Sequence, residues 1–165
     1  MRKQSSLACF LLILGVLFAA TACKDGSTGS YFSYRESNFH AEIQGELNGV
    51  SFTAEIGRTG TEDGATLYVT YLSPEALNGL TVTQNAGGEV SVSLDGITPG
   101  TETVQSLIAP LQALFEGEEI LTVQKNGQTT TLQTAPDQVL TLSSHTPLSF
   151  TSPTLTFTVL WWETA

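Results

Sequence analysis

The sequence has few positive charges. Its 6 Lys and Arg residues are set against 16 Asp and Glu residues, and the formal net charge is −10 at pH 7. A negative surface repels the phosphates of nucleic acids and of anionic lipid head groups. This excludes nucleic acid as a partner, and it means that attachment to a membrane would need an anchor other than surface charge.

Cysteine and histidine are scarce too, with two residues of each. Cys9 and Cys23 both lie close to the start of the chain, so the sequence offers neither a disulfide framework nor a cysteine metal site. His40 falls on the polar face of a predicted strand and His145 in a predicted turn. Both histidines are therefore expected at the surface, away from any catalytic set.

Motifs for chemistry are missing as well. The sequence contains no Gly-x-Ser-x-Gly elbow and neither of the glycine-rich phosphate-binding motifs. The acidic groups at 62–63 and 116–119 lack the ligand spacing of a calcium loop. We predict no enzyme activity, no catalytic residues, no cofactor and no bound metal.

The first 22 residues have the pattern of a signal peptide. Met1-Arg2-Lys3 supplies a short positive region, and residues 7–20 form an uncharged apolar run of 14 residues. A helix needs about 20 apolar residues to cross roughly 30 Å of hydrocarbon. This run is too short, so removal of residues 1–22 is expected.

The junction Ala20-Thr21-Ala22-Cys23 resembles the lipobox of bacterial lipoproteins, in which small residues precede a cysteine that is acylated. Several acyl chains on Cys23 would form a stable membrane anchor, which a single chain would not. The sequence predicts an extracytoplasmic protein that is lipid-anchored to the cell membrane through Cys23. The alternative is an ordinary secretory signal followed by a chance cysteine.

Residues 23–38 are predicted to be the lipidated cysteine and a flexible tether. The stretch 24–38 is rich in Ser and Gly and has no sustained apolar period. Its aromatic residues Tyr31, Phe32 and Tyr34 mark a place where the tether docks on the domain or dips towards the bilayer. Docking is the simpler interpretation.

Residues 39–165 are predicted to be one mainly β domain. Apolar and polar residues alternate along 39–47 and 50–56, and Asn48-Gly49 between them is the favoured pair for a tight hairpin. Further strands are expected at 65–72, 80–85, 89–94, 119–125, 128–134, 138–143 and 154–162.

The segment 101–117 breaks this alternation. Its apolar residues recur at offsets of three and four, which predicts an amphipathic helix, and Pro110 should kink it or split it in two. An antiparallel sheet with one apolar face must cover that face, and this helix is the one substantial cover predicted. We expect a strongly curved sheet of about eight strands, an open half-barrel, with one kinked helix over its concave face.

The order of segments resembles small lipoproteins of Gram-positive bacteria with a LolA-like fold, of the LolA/LolB/RseB superfamily. The resemblance is carried by the lipobox, the Ser-rich tether and the strand and turn patterns LSPEALNGL at 72–80, GEVSV at 88–92 and LDG at 94–96. It implies a half-closed barrel with an apolar cavity that binds acyl chains or lipoprotein segments, or a protein partner of envelope and spore-wall enzymes.

Two differences from the soluble carriers of that superfamily stand out. This chain carries its own predicted lipid anchor, and it has a single substantial helix where the carriers have several. Soluble shuttling is therefore not expected, and the resemblance transfers no cargo-recognition residue to this sequence.

Two binding hypotheses result. In the first, a concave apolar face binds an acyl chain or a lipoprotein segment, with the helix as a movable plug; the candidate ligand residues are Leu107, Ile108, Leu111, Leu114 and Phe115. The alternative for these residues is that they are simply the second layer of the core. In the second hypothesis the protein is a non-catalytic partner or regulator of an envelope or spore-wall enzyme, and it binds through its outer face or a sheet edge.

The pair Trp161-Trp162 belongs to the second hypothesis. Neighbouring strand residues point to opposite faces, so one tryptophan should join Phe157 and Val159 in the core and the other should face outwards. Trp162 is the candidate partner-binding residue, because tryptophan is enriched in interface hot spots.

Overall fold

The computed structural model describes residues 31–61, 64–94, 106–116 and 119–165. Within these ranges ten strands form one antiparallel sheet. They are β1 (Phe39–Leu47), β2 (Val50–Thr59), β3 (Thr66–Ser73), β4 (Thr81–Gln84), β5 (Val90–Ser93), β6 (Thr122–Asn126), β7 (Thr129–Ala135), β8 (Gln138–Ser143), β9 (Thr146–Thr151) and β10 (Leu155–Thr164).

The strand order across the sheet is β5-β4-β3-β2-β1-β10-β9-β8-β7-β6. The first and last strands pair in the centre, while the two edges, β5 and β6, come from the middle of the chain. The edges do not pair with each other, so the sheet stays open. The expectation of a mainly β fold with one open antiparallel sheet is confirmed.

The strand number corrects the prediction of about eight. The strand absent from the prediction is β9, whose first residues belong to the predicted turn around His145 and Pro147. Proline lacks a backbone donor and is accommodated in sheets at edges or bulges. Here a register shift in the β8–β9 pairing falls between Thr141 and Leu142, the latter opposite Pro147, and this irregularity hides the period of two.

The first hairpin forms as its sequence predicts. Asn48 and Gly49 both have positive φ, 50° and 82°, as a tight two-residue turn requires. The turn sets the β1–β2 register with Leu47 opposite Val50, and it places Phe39, Ala41 and Ile43 on the buried side. We call this buried side of the sheet the inner face.

One α-helix, α1 (Ala109–Phe115), lies on the inner face and contacts β3 and β10. It is shorter than the predicted helix over 101–117, of which 101–105 and 117 lie outside the described residues. Ser106 and Leu107 are helical, Ile108 is a turn, and Pro110 occupies the first turn of α1. Proline is well placed there because the first turn needs no intrahelical N–H bond. Of the two effects predicted for Pro110, a kink or a split, the described residues show the split, because a turn at Ile108 separates helical Ser106 and Leu107 from α1.

In the part of the chain that the structure describes, no helix is both long and apolar enough to cross a lipid bilayer.

Candidate functional site

The inner face is the first candidate site, and α1 fills it. Leu111 and Leu114 are completely buried, Leu107 and Ile108 nearly so, and all four belong to the same core as the inward residues of the strands. Phe115 is half-buried and its ring stacks on Phe39 at 5.8 Å between centroids. The structure therefore brings all five candidate ligand residues together, as a second layer of core.

Residues 31–38, which we call the strap, hold α1 against the sheet. The Tyr34 hydroxyl donates a hydrogen bond to the carbonyl of Leu114 at 2.7 Å, and Arg35 Nε donates to the same carbonyl at 2.7 Å. A further bond runs from the Arg35 guanidinium to the carbonyl of Glu116 at 3.2 Å. These donors satisfy carbonyls at the end of the helix, which have no intrahelical partner.

The strap is itself docked. Tyr31, Phe32 and Tyr34 are buried, and Tyr34 makes edge-to-face contacts with Phe115 and Trp162. Of the two predicted arrangements of these aromatic residues, the structure shows docking on the domain. The folded part of the chain therefore includes residues 31–38, before the predicted start at 39.

The basic residues of the described chain converge on the strap. Arg35 belongs to it and packs its guanidinium over the Phe32 ring at 3.9 Å. Arg58, on β2, donates to the carbonyl of Glu36 and to Asn38 Oδ1. The Lys125 ammonium, on β6, lies 5.5 Å from the Tyr31 ring centroid.

The other end of the helical segment is held by Tyr71. Its hydroxyl donates to the carbonyl of Leu107 at 2.8 Å, and its side chain is fully buried. Burial raises the pKa of the Tyr71 phenol well above its ordinary value, and burial likewise raises the pKa of Tyr34. Both phenols are consequently neutral hydrogen-bond donors at physiological pH.

Open grooves lie beside α1 and beside the strap. One, of about 350 Å³, lies between the helix and the β7–β10 half of the sheet and is lined by Gln112, Glu116, Thr134, Gln138 and Phe150 among others. The others border the strap and the β4–β5 turn. Their linings mix polar and apolar side chains, and none is a deep apolar tunnel of the kind that holds an acyl chain.

The sheet surface opposite α1, the outer face, carries the second candidate site. Trp161 is 38% exposed there, and its indole N–H donates to Glu42 Oε2 at 2.9 Å. The His40 ring meets Trp161 edge to face at 4.8 Å, and His40 Nε2 lies 3.6 Å from Glu55 Oε2. Tyr68 completes the group, with its ring 6.2 Å from that of His40.

The expected orientation of the tryptophans is corrected by this geometry. Trp162 turns inwards and stacks on Phe39 at 4.0 Å, while Trp161 is the outward residue. The cause is a β-bulge, because Ile43 pairs with Val159 but Glu42 pairs with Trp161, and Leu160 is left between them. The extra residue reverses the alternation after Val159.

The positions of Glu42, Glu55 and His40 in this outer-face group could be predicted from the sequence. A two-residue turn at Asn48-Gly49 fixes Glu42 opposite Glu55 and His40 opposite Gly57, as the structure shows. The outward orientation of Trp161 could not be predicted from the sequence, since it depends on the bulge. In the described part of the chain, no group of three or more His, Cys, Asp or Glu residues is arranged to hold a metal ion.

Comparisons with known proteins add information on the fold. No family model matches the sequence, and no curated protein matches it. Among solved structures, MucB is similar with a TM-score of 0.55 and 12% sequence identity, over 88% of this chain and 60% of MucB. The chain has the fold of MucB. It spans a little over half of the length of MucB, and the LolA-like expectation is confirmed at the level of the fold.

Two other solved structures are similar over 84% of this chain. One is MucB in complex with MucA(peri), with a TM-score of 0.48, 15% identity and 53% of that chain covered. The other is an uncharacterized conserved protein from Thermus thermophilus, with a TM-score of 0.47, 10% identity and 85% of that chain covered.

Proposed function

We propose that this chain is a non-catalytic extracytoplasmic lipoprotein, anchored through Cys23, that binds a protein partner such as an envelope or spore-wall enzyme. The observation that carries the proposal is the filled inner face. With Leu111 and Leu114 fully buried under the sheet and only open grooves of mixed polarity beside α1, the outer face and the sheet edges are the binding surfaces in this proposal.

Those surfaces carry exposed apolar side chains. On the outer side, Leu160 is 51% exposed next to Trp161. At the edge, every residue of β6 is exposed, including Val123, and Leu121 just before it is exposed too. An edge strand has unpaired backbone groups along one side, so a partner segment can add to it as a further strand.

Photocrosslinking in cells tests this function with the full chain. p-Benzoylphenylalanine is placed at Leu160 on the outer side, at Val123 on the edge, and at exposed Asn78 as a control position. We expect a discrete protein adduct from Leu160 or Val123 and none from Asn78. Absence of a discrete protein adduct from both test positions would overturn the partner function.

A second function has one specific observation in its favour. The end of α1 is held by three hydrogen bonds from Tyr34 and Arg35, and release of these bonds would let the helix move as a unit. Movement of α1 would open an apolar space between the inner face of the sheet and the helical segment, whose residues facing that space would be Leu107, Ile108, Leu111, Leu114 and Phe115. In this function the face then receives an acyl chain or a lipoprotein segment.

Native mass spectrometry of the full chain extracted from membranes tests the second function. A bound acyl species is expected, together with labelling by a photoreactive palmitate probe. Leu111→Ala should increase labelling because it opens space on the inner face, whereas Gln112→Ala, at a half-buried helix position lining the groove, should not. A consistently empty protein that no variant makes reactive would rule this function out.

A further inference from the structure

Four adjacent strands bring aromatic and acidic side chains together on the outer face. We call this group the outer-face patch: His40 and Glu42 from β1, Glu55 from β2, Tyr68 from β3 and Trp161 from β10. The inner-face core does not explain their presence, since they point away from it. Binding of a protein partner does not by itself explain why these side chains are aromatic and acidic.

The patch contains an unfavourable charge pair. Glu42 lies directly opposite Glu55 in the β1–β2 ladder, and Glu163 lies opposite His40 in the β1–β10 ladder. Like charges directly opposite each other destabilise a sheet. Two facing carboxylates in β1 and β2 therefore cost stability that a purely structural surface would not need to lose.

The lysine and arginine residues that the structure describes do not lie beside this pair. The three that the structure describes, Arg35, Arg58 and Lys125, all belong to the strap or contact it. His40 is the side chain that lies beside Glu55, with its Nε2 3.6 Å from Glu55 Oε2. Within the described residues its Nε2 has no hydrogen-bond partner, although solvent does not reach that atom. The patch thus presents two carboxylates, one bonded to Trp161 and one beside His40, without a lysine or arginine neighbour among the described residues.

The aromatic side chains of the patch are held in fixed positions. The hydrogen bond to Glu42 orients the Trp161 indole, and His40 packs against it edge to face. Tyr68 lies over Gly57, where an added Cβ would collide with the phenol ring. Burial, and after it the charge of Glu55, raises the pKa of Tyr68, so the phenol stays neutral.

An exposed indole flanked by carboxylates is suited to an organic cation. A cationic side chain is attracted to the face of a tryptophan ring, and carboxylates form charge-assisted hydrogen bonds with the same ammonium or guanidinium group. Tryptophan and tyrosine contribute no ligands for a hard metal ion such as calcium or magnesium, which prefers a shell of oxygen donors. The arrangement therefore favours a lysine or arginine side chain over a metal.

We propose that the outer-face patch is the docking site for a basic segment of the protein partner, with a lysine or arginine side chain lying against Trp161 beside Glu42 and Glu55. Charge complementarity argues for this occupant, because a chain with a net charge of −10 presents these carboxylates without a lysine or arginine neighbour of its own among the described residues. Leu160, 51% exposed, supplies an apolar contact next to the charged one. The inference rests on the partner-binding function and names the surface and the chemistry.

Substitution of the two carboxylates tests the inference in the crosslinking experiment at Leu160. Glu42→Gln with Glu55→Gln should reduce the protein adduct roughly tenfold, since both the charge and the cation contact at Trp161 weaken. The control Glu75→Gln with Glu89→Gln removes the same charge from exposed positions outside the patch and should leave the adduct unchanged. The crosslinked partner peptide should contain lysine or arginine, and added salt should lower the yield.

Stability measurements separate a binding defect from unfolding. Removing the facing charges should leave the melting temperature of the full chain unchanged or raise it, because the repulsion is relieved. The Glu42→Gln substitution should keep Trp161 in place, since an amide oxygen also accepts the indole hydrogen bond. A lost adduct together with an unchanged melting temperature would support the patch.

Other outcomes distinguish the patch from the function. An adduct at Val123 with none at Leu160 would overturn the patch and leave the partner function standing. If the yield of the adduct at Leu160 changes neither with the two Glu→Gln substitutions nor with added salt, the proposal that a basic segment docks on the patch would be wrong. No adduct at either position would overturn both proposals.

Discussion

At the scale of single residues, the β-bulge in β10 determines which tryptophan carries stability and which faces the solvent. Leu160 has no partner between the Ile43–Val159 and Glu42–Trp161 pairs, so Trp162 falls on the side of Phe39 and Tyr34. The aromatic contacts of Trp162 join the strap to the sheet, and the same two partners, Tyr34 and Phe39, also contact Phe115 of α1. Those of Trp161 are confined to the outer face.

Truncating each tryptophan checks this assignment. Trp162→Ala should lower the free energy of unfolding by about 3 kcal/mol, because it removes a large ring packed among other aromatic rings. Trp161→Ala should cost less than about 1 kcal/mol, as expected for a side chain at the surface. Urea unfolding of the two full-length variants measures both values, and equal losses would contradict the bulge.

The buried tyrosines make the protein sensitive to alkali. Burial raises the folded-state pKa of both Tyr71 and Tyr34 above the unfolded value of about 10. The unfolded chain then loses these protons at lower pH than the folded one. Their contribution to stability is complete below the unfolded pKa and is lost as the pH rises above it.

We expect the free energy of unfolding to fall from about pH 10 upwards, and to fall less steeply in Tyr71→Phe. At neutral pH the same substitution should cost about 1–2 kcal/mol, because the Leu107 carbonyl loses its buried donor. Denaturant titrations between neutral pH and about pH 11 follow both effects. If the free energy of unfolding falls equally steeply with pH in wild type and in Tyr71→Phe, then folding does not raise the pKa of Tyr71 and the prediction is wrong.

At the scale of elements, the strap and α1 form one stabilising unit. α1 has only seven residues, a length at which an isolated helix is unstable, so its persistence depends on packing and on the bonds at its end. Tyr34 and Arg35 provide those bonds. The segment that follows the predicted lipid anchor is thereby linked to the cover of the inner face.

Removing the strap donors should loosen the helix. In Tyr34→Phe with Arg35→Gln, we expect backbone amides of α1 to exchange at least roughly tenfold faster, since the three hydrogen bonds to Leu114 and Glu116 are lost. Lys125→Gln is the control, because it removes a charge near the strap without a bond to α1. Hydrogen exchange with mass spectrometry gives the comparison, and unchanged exchange would mean that packing alone holds the helix.

The elements themselves differ in how well sequence predicts them. The β1–β2 hairpin follows from alternation and from Asn48-Gly49, because turn geometry and register are local. The helical segment is less fully predicted: the apolar offsets of three and four continue without a break through Ile108, whereas a turn at Ile108 separates helical Ser106 and Leu107 from α1. β9 is not predicted because Pro147 and the nearby bulge interrupt the period on which strand prediction depends.

At the scale of the whole molecule, the predicted lipid anchor would determine which part of the domain lies nearest to the membrane. The strap begins eight residues after Cys23, so lipidation would hold the strap end of the domain close to the bilayer. The outer face and the β6 edge would remain available to other proteins at the membrane surface. This arrangement needs the lipid on Cys23, which is a prediction.

Replacing each cysteine tests the anchor. Cys23→Ala should abolish incorporation of an alkyne-labelled palmitate and shift the mature chain out of the acylated membrane fraction. Cys9→Ala, within the apolar run whose removal is predicted, should keep both label and location. Fractionation and in-gel fluorescence read out the two variants, and a labelled Cys23→Ala protein would show that another residue carries the lipid.

The sequence by itself determined the mainly β class, the first hairpin with its register, the helical segment around Pro110 and the charge that excludes nucleic acid. Each of these depends on local periodicity, turn chemistry or composition. The tertiary structure alone decided that ten strands pair with β1 and β10 at the centre, that the strap and α1 fill the inner face, and that Trp161 rather than Trp162 faces outwards. These outcomes depend on pairings between residues far apart in the chain and on one unpaired residue in β10. Neither can be predicted from the local sequence pattern.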